Sequence, residues 1–133
     1  MNNKILKFQH DKRKIYNIGY HVIWTPKYRK SILKGNFKNI IKDTFFEKEK
    51  ELNIRIEKFE IMSDHVHLFI KCKPTDCISH IIKHLKGYSS YKLRKMYPKF
   101  KKYKSLWSPS YYCESIGHIS EETIKKYIEN QNK

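Results

Sequence analysis

Apolar residues recur every second position in some segments of the chain and at helical spacing in others. Segments 16–26, 54–62 and 65–72 are rich in aromatic and β-branched residues, which predicts three strands. The last two strands are expected to form a hairpin through Ser63 and Asp64. A fourth strand is predicted over 106–115, a segment rich in Trp and Tyr.

Helical spacing predicts three helices between and after these strands. A first helix is expected over 36–52, and a second begins after Pro74 with Thr75 or Asp76 as its N-cap. The residues expected on its buried face are Ile78, Ile81, Ile82, Leu85, Tyr88 and Ser89. Gly117 is expected to make a bend, after which Ser120 caps a final helix that continues to Gln131.

The order strand–helix–strand–strand–helix–strand predicts an α+β fold of the ferredoxin-like, or RRM-like, type. In this fold an antiparallel sheet has two helices on one face, and the third helix is here an addition at the C-terminus. Alternation along 65–72 places Val66, Leu68 and Ile70 under the helices and His65 and His67 on the opposite face. The length of 133 residues fits a single domain over 15–133, preceded by a basic arm over 1–14.

Charge is the strongest compositional signal. The chain has 29 Lys and Arg against 13 Asp and Glu, a formal net charge of +16 and 14% aromatic residues. This combination favours nucleic acid as the partner, although an alternative is that the lysines only solubilise the surface. A membrane partner is not expected, because the chain has no long apolar run and no signal-peptide pattern. Three cysteines without a C-x-x-C pair indicate a reducing, cytoplasmic setting.

Two histidines separated by one residue are the first candidate for chemistry. His65 and His67 lie on the same face of a predicted strand, so their imidazoles could bind one metal ion together. The spacing is weak evidence by itself. The alternative is a pair of half-exposed strand histidines that bind nothing.

The predicted final helix supplies a second candidate. Tyr127 and Gln131 are four residues apart and therefore share a helix face. A phenol is a poor nucleophile at neutral pH, but a divalent ion held by two imidazoles and an amide oxygen could activate a phosphate for its attack. Such ligands suit Mn²⁺ or Mg²⁺. Attack by tyrosine would conserve the phosphodiester bond energy and permit rejoining, although Tyr127 could also be a core residue of an amphipathic helix.

Basic and aromatic residues near the first strand and on the second helix are candidate DNA contacts. They could neutralise phosphates and stack on unpaired bases, or each could be an ordinary solvated side chain. The candidates are Lys27, Tyr28, Arg29, Lys30, Lys83, Lys86, Lys92, Arg94 and Lys95.

The stretch 62–69, Met-Ser-Asp-His-Val-His-Leu-Phe, resembles the histidine–hydrophobe–histidine signature of the small single-tyrosine HUH transposases. Stretches 21–29, 106–112 and 127–131 match the same family, so the resemblance covers about residues 16 to 131. These transposases mobilise insertion sequences as single-stranded DNA.

The resemblance implies that Tyr127 is the nucleophile, that His65 and His67 bind the metal, and that Gln131 is its third ligand. It further implies metal-dependent cleavage and rejoining of single-stranded DNA through a 5′-phosphotyrosine, at element ends that form hairpins. Members act as homodimers in which the tyrosine helix of one subunit can complete the histidine site of the other. A prokaryotic, cytoplasmic and nucleoid-associated protein is the corresponding expectation.

Three alternatives stay open from sequence. A non-catalytic ferredoxin-like module that binds nucleic acid would be expected to carry exposed aromatic residues where His65 and His67 lie. A replication initiator or relaxase would usually have further domains. A domesticated relative that processes chromosomal repeat hairpins cannot be distinguished from a mobile element by sequence.

Overall fold

The computed structural model describes residues 9–11, 14–102, 104–116, 125–126 and 128–129. Its six strands are β1 (Gln9–Asp11), β2 (Lys14–Tyr16), β3 (Gly19–Trp24), β4 (Arg55–Met62), β5 (His65–Lys71) and β6 (Tyr112–Ile116). The two helices are α1 (Asn36–Leu52) and α2 (Ile78–Met96), and short 3-10 turns span Lys27–Arg29 and Pro98–Phe100.

The main sheet has four antiparallel strands in the order β4-β5-β3-β6. From β3 to β6 the elements follow the predicted order strand–helix–strand–strand–helix–strand. The ferredoxin-like fold class is therefore confirmed. The inner strands β5 and β3 are neighbours, so the histidine-bearing strand is bonded on both sides.

The core lies between one face of the sheet and the two helices. Val66, Leu68 and Ile70 of β5 are fully buried, as the predicted alternation requires. Two large aromatic residues, Trp24 of β3 and Trp107 of the segment before β6, meet edge to face with ring centroids 5.9 Å apart. Removing side chains of this size from water is the main stabilising contribution to such a core.

Helix α2 begins later than predicted. Its N-cap residue is Cys77, which makes no side-chain cap hydrogen bond. The predicted cap residue Asp76 instead accepts a hydrogen bond of 2.8 Å from the backbone N–H of Lys73, which closes the turn before the helix. Tyr88, predicted on the buried face, is only half buried, and its hydroxyl donates to a carboxylate oxygen of Glu47 at 2.9 Å.

The predicted fourth strand is too long at its start, because β6 covers only Tyr112–Ile116. The preceding residues bond both to the segment after β3 and to α2. The backbone N–H of Lys27 donates to the carbonyl of Leu106 at 2.7 Å, and that of Ser108 donates to the carbonyl of Thr25 at 2.9 Å. The backbone N–H of Leu106 donates to the hydroxyl of Ser90 at 3.0 Å, and the indole of Trp107 donates to the hydroxyl of Ser89 at 2.8 Å. Side chains of α2 thus satisfy further polar groups of this segment.

The predicted first strand is also shorter, since β3 ends at Trp24 and Pro26 makes only an isolated bridge to Trp107. β1 lies in the predicted N-terminal arm and pairs with β2, which begins at the last residue of that arm, in a separate two-stranded sheet. The domain boundary at residue 14 stays a prediction.

In the predicted final helix, Lys125, Lys126, Ile128 and Glu129 are helical. Tyr127 and Gln131 lie outside the described residues, as do Gly117 and Ser120. Neither described helix, α1 nor α2, is long and apolar enough to span a membrane.

Candidate functional site

The strand register assembles a polar cluster on the sheet face opposite the helices, which we call the open face. Directly opposed residues in antiparallel strands share a face. His67 of β5 lies between Ile23 of β3 and Glu60 of β4, while His21 of β3 lies between Phe69 of β5 and Glu114 of β6. The open face therefore carries His21 beside the two predicted ligands.

His67 is held from two sides. Its Nε2 lies 3.0 Å from Nδ1 of His21, and its Nδ1 lies 3.5 Å from a carboxylate oxygen of Glu60. The ammonium of Lys58 lowers the pKa of Glu60, and His67 adds to the effect. A carboxylate beside Nδ1 favours the proton on that nitrogen, which leaves the lone pair on Nε2 directed toward His21.

His65 is oriented by the residue before it. Its Nδ1 lies 2.9 Å from Oδ1 of Asp64, whose other oxygen accepts from the guanidinium of Arg29 at 3.4 Å. The hydrogen bond from His65 lowers the pKa of Asp64, and the charge of Arg29 contributes to the shift. An ionised carboxylate on Nδ1 leaves Nε2 as the nitrogen of His65 that can bind a cation.

His21 is wedged between the other open-face rings. Its ring stacks on Phe69 with centroids 5.0 Å apart, and Phe69 in turn lies over Gly19. A Cβ on Gly19 would lie 2.5 Å from the Phe69 ring, so the absence of a side chain there makes room for the stack. Burial lowers the pKa of His21, as does the neighbouring His67, while Glu114 opposes the shift.

The imidazole nitrogens of the open face are chemically suitable ligands for a divalent cation. Neutral imidazole nitrogens with carboxylates on the far ring nitrogen are a common arrangement around protein-bound metals. Among the residues that the structure describes, no group of three or more His, Cys, Asp or Glu side chains is arranged so that it could hold a metal ion. The third predicted ligand, Gln131, lies outside that part of the chain, as does Tyr127.

The predicted DNA contacts fall into separate places. Lys27, Lys83 and Lys86 line one groove of about 440 Å³ between α2 and the segment before β6, and this larger groove also contains Lys104 and Tyr111. Lys27 and Lys30 line a smaller groove of about 240 Å³ with Lys99 and Lys102. The two grooves share Lys27, so a band of positive charge connects them.

Other predicted contacts differ in their surroundings. Tyr28 is 74% exposed beside these grooves, and Arg29 is paired with Asp64. Arg94 lines neither groove, and its guanidinium donates to the backbone carbonyl of Lys104 at 3.2 Å. Arg94 thus supports the loop that follows α2. Lys92 and Lys95 lie near the rings of Tyr88 and Tyr91 respectively.

Sequence reasoning missed several residues of the site. His21 and Glu60 each have a side chain beside His67, and Asp64, predicted only as a turn residue, contacts His65. The sequence offered one signal for His21: it lies two residues before Ile23, so both share one face of the predicted strand. That signal becomes specific only when the register between β3 and β5 is known.

Comparison with known proteins identifies the family. The family model for IS200-like transposases (Transposase IS200 like) matches residues 14–131. The ISDra2 transposase TnpA of Deinococcus radiodurans is 33% identical over 121 residues, which cover 89% of this chain and 86% of that protein. The transposase of insertion sequence element IS200 from Salmonella typhimurium is 29% identical over 119 residues, or 87% and 78% of the two chains.

Two solved structures share the fold. A candidate transposase from Deinococcus radiodurans superimposes with a TM-score of 0.74 at 31% identity, covering 92% of this chain and 97% of that one. A REP-associated tyrosine transposase bound to a REP hairpin superimposes with a TM-score of 0.60 at 13% identity, covering 92% and 68%. Because the family model matches nearly the whole sequence and a transposase that is 33% identical covers 89% of it, the chain belongs to the IS200-like transposase family.

Proposed function

We propose that this transposase cleaves and rejoins single-stranded DNA with Tyr127 as the nucleophile, using a divalent cation bound by His65, His67 and Gln131. The observation that carries the proposal is the arrangement on the open face of β5. Both histidines are directed away from the core, and each has a carboxylate near its Nδ1. Half-exposed histidines without a ligand would not need such partners.

In the proposed reaction the phenol oxygen of Tyr127 attacks a phosphodiester phosphorus. A bond forms between this oxygen and phosphorus, the bond from phosphorus to the 3′ oxygen breaks, and that oxygen leaves with a proton as a free 3′-hydroxyl. When bound, the cation, Mg²⁺ or Mn²⁺, would polarise the phosphate as a Lewis acid. The 5′-phosphotyrosine preserves the ester energy, so a second 3′-hydroxyl can reverse the step and join a new strand.

The lysine grooves support DNA as the substrate, and we propose that it is single-stranded DNA with hairpin ends. The larger and smaller grooves meet at Lys27, and the exposed ring of Tyr28 follows directly in the chain. Ammonium groups can follow a phosphate backbone while an exposed ring stacks on an unpaired base. We assign Lys27, Tyr28, Lys30, Lys83 and Lys86 to this contact, and Arg29 and Arg94 to positioning the adjacent loops.

We further propose a homodimer in which the tyrosine helix of one subunit completes the histidine site of the other. Met62 and Tyr112, which share the open face with the histidines, are 53% and 56% exposed. Exposed apolar groups beside a polar cluster favour coverage by another element.

A covalent-adduct assay tests the chemistry. The full chain is incubated with labelled single strands from both flanks of its gene, with Mn²⁺, Mg²⁺ or chelator. We expect a protein–DNA adduct that requires the cation, is absent in Tyr127→Phe, and persists in the matched control Tyr91→Phe, an exposed tyrosine of α2. An adduct that survives Tyr127→Phe would overturn the assignment of the nucleophile.

Mixing two inactive variants tests the composite site. The double variant His65→Ala/His67→Ala lacks the metal ligands, and Tyr127→Phe lacks the nucleophile. If the tyrosine acts on the site of the other subunit, mixed dimers contain one intact site and the adduct returns. If each tyrosine serves its own subunit, no site is intact and the mixture stays inactive, which would contradict the composite arrangement.

A further inference from the structure

The close approach of two imidazoles on the open face is the observation from which this inference begins. Nδ1 of His21 and Nε2 of His67 are 3.0 Å apart and partly buried, and the rings are tilted by 44° with centroids 5.1 Å apart. The two nitrogens face each other at hydrogen-bonding distance. Each neutral ring carries one lone pair, so this contact uses the lone pair of one ring and the N–H of the other.

The separation also matches a shared cation. Two ligands at right angles, each about 2.1 Å from an octahedral ion, lie about 3.0 Å from each other. A cation bound to both nitrogens would lie beside the line that joins them. It replaces the proton of the free protein once the rings turn to direct both lone pairs at it, with His21 carrying its proton on Nε2. We propose that His21, through Nδ1, is a further imidazole ligand of the cation that His67 binds. This assignment rests on the proposed function.

The surroundings keep the two rings close together. Phe69 stacks on His21 and is itself seated over Gly19, so the His21 ring has a fixed wall on one side. Glu60 lies at the far nitrogen of His67 and favours a proton there, which keeps the lone pair of Nε2 toward His21. The two nitrogens are thus preorganised by contacts on both strands.

His65 has a different role in this assembly. Its Nδ1 is bound to Asp64, and the three imidazoles of His21, His65 and His67 are not arranged around one possible ion position. The His21–His67 pair is the part of the centre that the fold has already assembled. His65 joins by turning its ring about the Asp64 contact.

An additional imidazole changes the cation preference. Nitrogen ligands favour transition metals, whereas Mg²⁺ prefers oxygen ligands and water. With His21 in the site, Mn²⁺ is expected to bind more tightly than Mg²⁺. Replacing His21 by Gln, which offers an amide oxygen, is expected to reduce the difference in affinity between Mn²⁺ and Mg²⁺.

Mn²⁺ binding by the full-length protein tests the proposal without DNA cleavage. Electron paramagnetic resonance of free Mn²⁺ gives the Kd of the wild type, His21→Ala, His21→Gln and the matched control His80→Ala, an exposed histidine of α2. Loss of one ligand is expected to weaken Mn²⁺ binding by roughly tenfold or more in His21→Ala, and the exchange of nitrogen for oxygen is expected to weaken it less in His21→Gln. His80→Ala is expected to bind as the wild type does.

A count of coordinated nitrogens distinguishes a ligand from a residue that only supports the ring of His67. Pulsed resonance of bound Mn²⁺ in protein labelled with ¹⁵N-histidine should show one fewer imidazole coupling in folded His21→Gln than in the wild type. Equal counts, or unchanged Kd values in both His21 variants, would overturn the proposal. If the wild type binds Mn²⁺ through His65 and His67 alone, this inference fails while the proposed function stands. Failure of the tyrosine adduct assay would instead refute the proposed function.

Discussion

Oδ1 of Asp64 lies 2.9 Å from Nδ1 of His65, and this contact connects the β4–β5 turn to the open face. The other oxygen of Asp64 receives the guanidinium of Arg29, which belongs to the 3-10 turn after β3. A basic turn in the proposed DNA-binding region is therefore linked, through one carboxylate, to a proposed metal ligand. Binding of a phosphate by Arg29 would compete with Asp64 for the guanidinium.

Asp64→Asn is expected to weaken Mn²⁺ binding by about tenfold, because an amide holds the far nitrogen of His65 less firmly than a carboxylate does. A Mn²⁺ titration of the purified variant measures the effect. Asp43→Asn, at an exposed position of α1, is the matched control and should bind as the wild type does. Equal Kd values for the two variants would show that Asp64 does not position His65.

Gly19→Ala is expected to destabilise the protein by about 1–3 kcal/mol, the usual cost of forcing an extra carbon against packed atoms. The added Cβ would lie 2.5 Å from the Phe69 ring, which must then move and loosen its stack on His21. Chemical denaturation measures the loss of stability.

A double-mutant cycle checks the cause of that loss. If the Phe69 ring is the obstacle, Gly19→Ala should cost clearly less in a Phe69→Leu background than in the wild type. An equal cost in both backgrounds would place the strain in the backbone of β3 instead.

The alternation of apolar and polar residues along β5 predicted which side chains face the core, but it did not predict which residues of other strands belong to the candidate site. Alternation along β5 correctly placed Val66 toward the core and His67 away from it, because side-chain direction is a local property of a strand. His21 and Glu60 reach His67 only through pairing between strands distant in sequence. Such pairing depends on the packing of the whole sheet.

Element ends were less predictable for a related reason. Residues 106–111 have the composition of a strand. Leu106 and Ser108 do bond to the backbone after β3, but Ser89, Ser90 and Lys86 of α2 supply further hydrogen-bond partners of the segment. Local sequence propensity does not report hydrogen-bond partners that a helix distant in sequence supplies. The predicted roles of Tyr127 and Gln131 stay predictions, since both residues lie outside the described part of the chain.

Tyr28→Gly is expected to separate stability from DNA binding. Tyr28 has a φ of 60°, and this left-handed conformation costs a non-glycine residue about 1–3 kcal/mol. Glycine relieves that strain but costs about 0.5–1 kcal/mol in backbone entropy, so stability should stay equal or rise slightly. Loss of the exposed ring removes a stacking surface, which should weaken binding of single-stranded DNA roughly tenfold.

Denaturation curves and fluorescence anisotropy measure the two effects of this change. Tyr28→Phe is the control, since it keeps the ring for stacking and should bind DNA like the wild type. DNA affinity that is unaltered in Tyr28→Gly would remove Tyr28 from the proposed contact.

Lys83→Ala and Lys86→Ala are expected to differ although both lysines line the larger groove. Lys86 donates to the backbone carbonyls of Ser108 at 2.6 Å and Ser110 at 3.2 Å, so its loss should lower stability by about 1.5–3 kcal/mol. Lys83 is exposed, and its replacement should change stability by less than about 0.5 kcal/mol.

Salt dependence measures the contribution of Lys83 to DNA binding. Loss of one phosphate contact should reduce the slope of log K against log salt by about 0.7 for single strands. Lys38→Ala, an exposed lysine of α1, serves as the reference. If both variants have the wild-type slope, the larger groove does not carry the DNA backbone.

The position of β3 and β5 in the middle of the sheet has a consequence for amide hydrogen exchange. Both strands are paired on two sides, so their amide protons are released only by the more extensive opening motions, whereas β4 and β6 can fray from the edges. The imidazole cluster is carried by His21 of β3 and by His65 and His67 of β5. The relative geometry of the cluster should therefore survive partial opening of the protein.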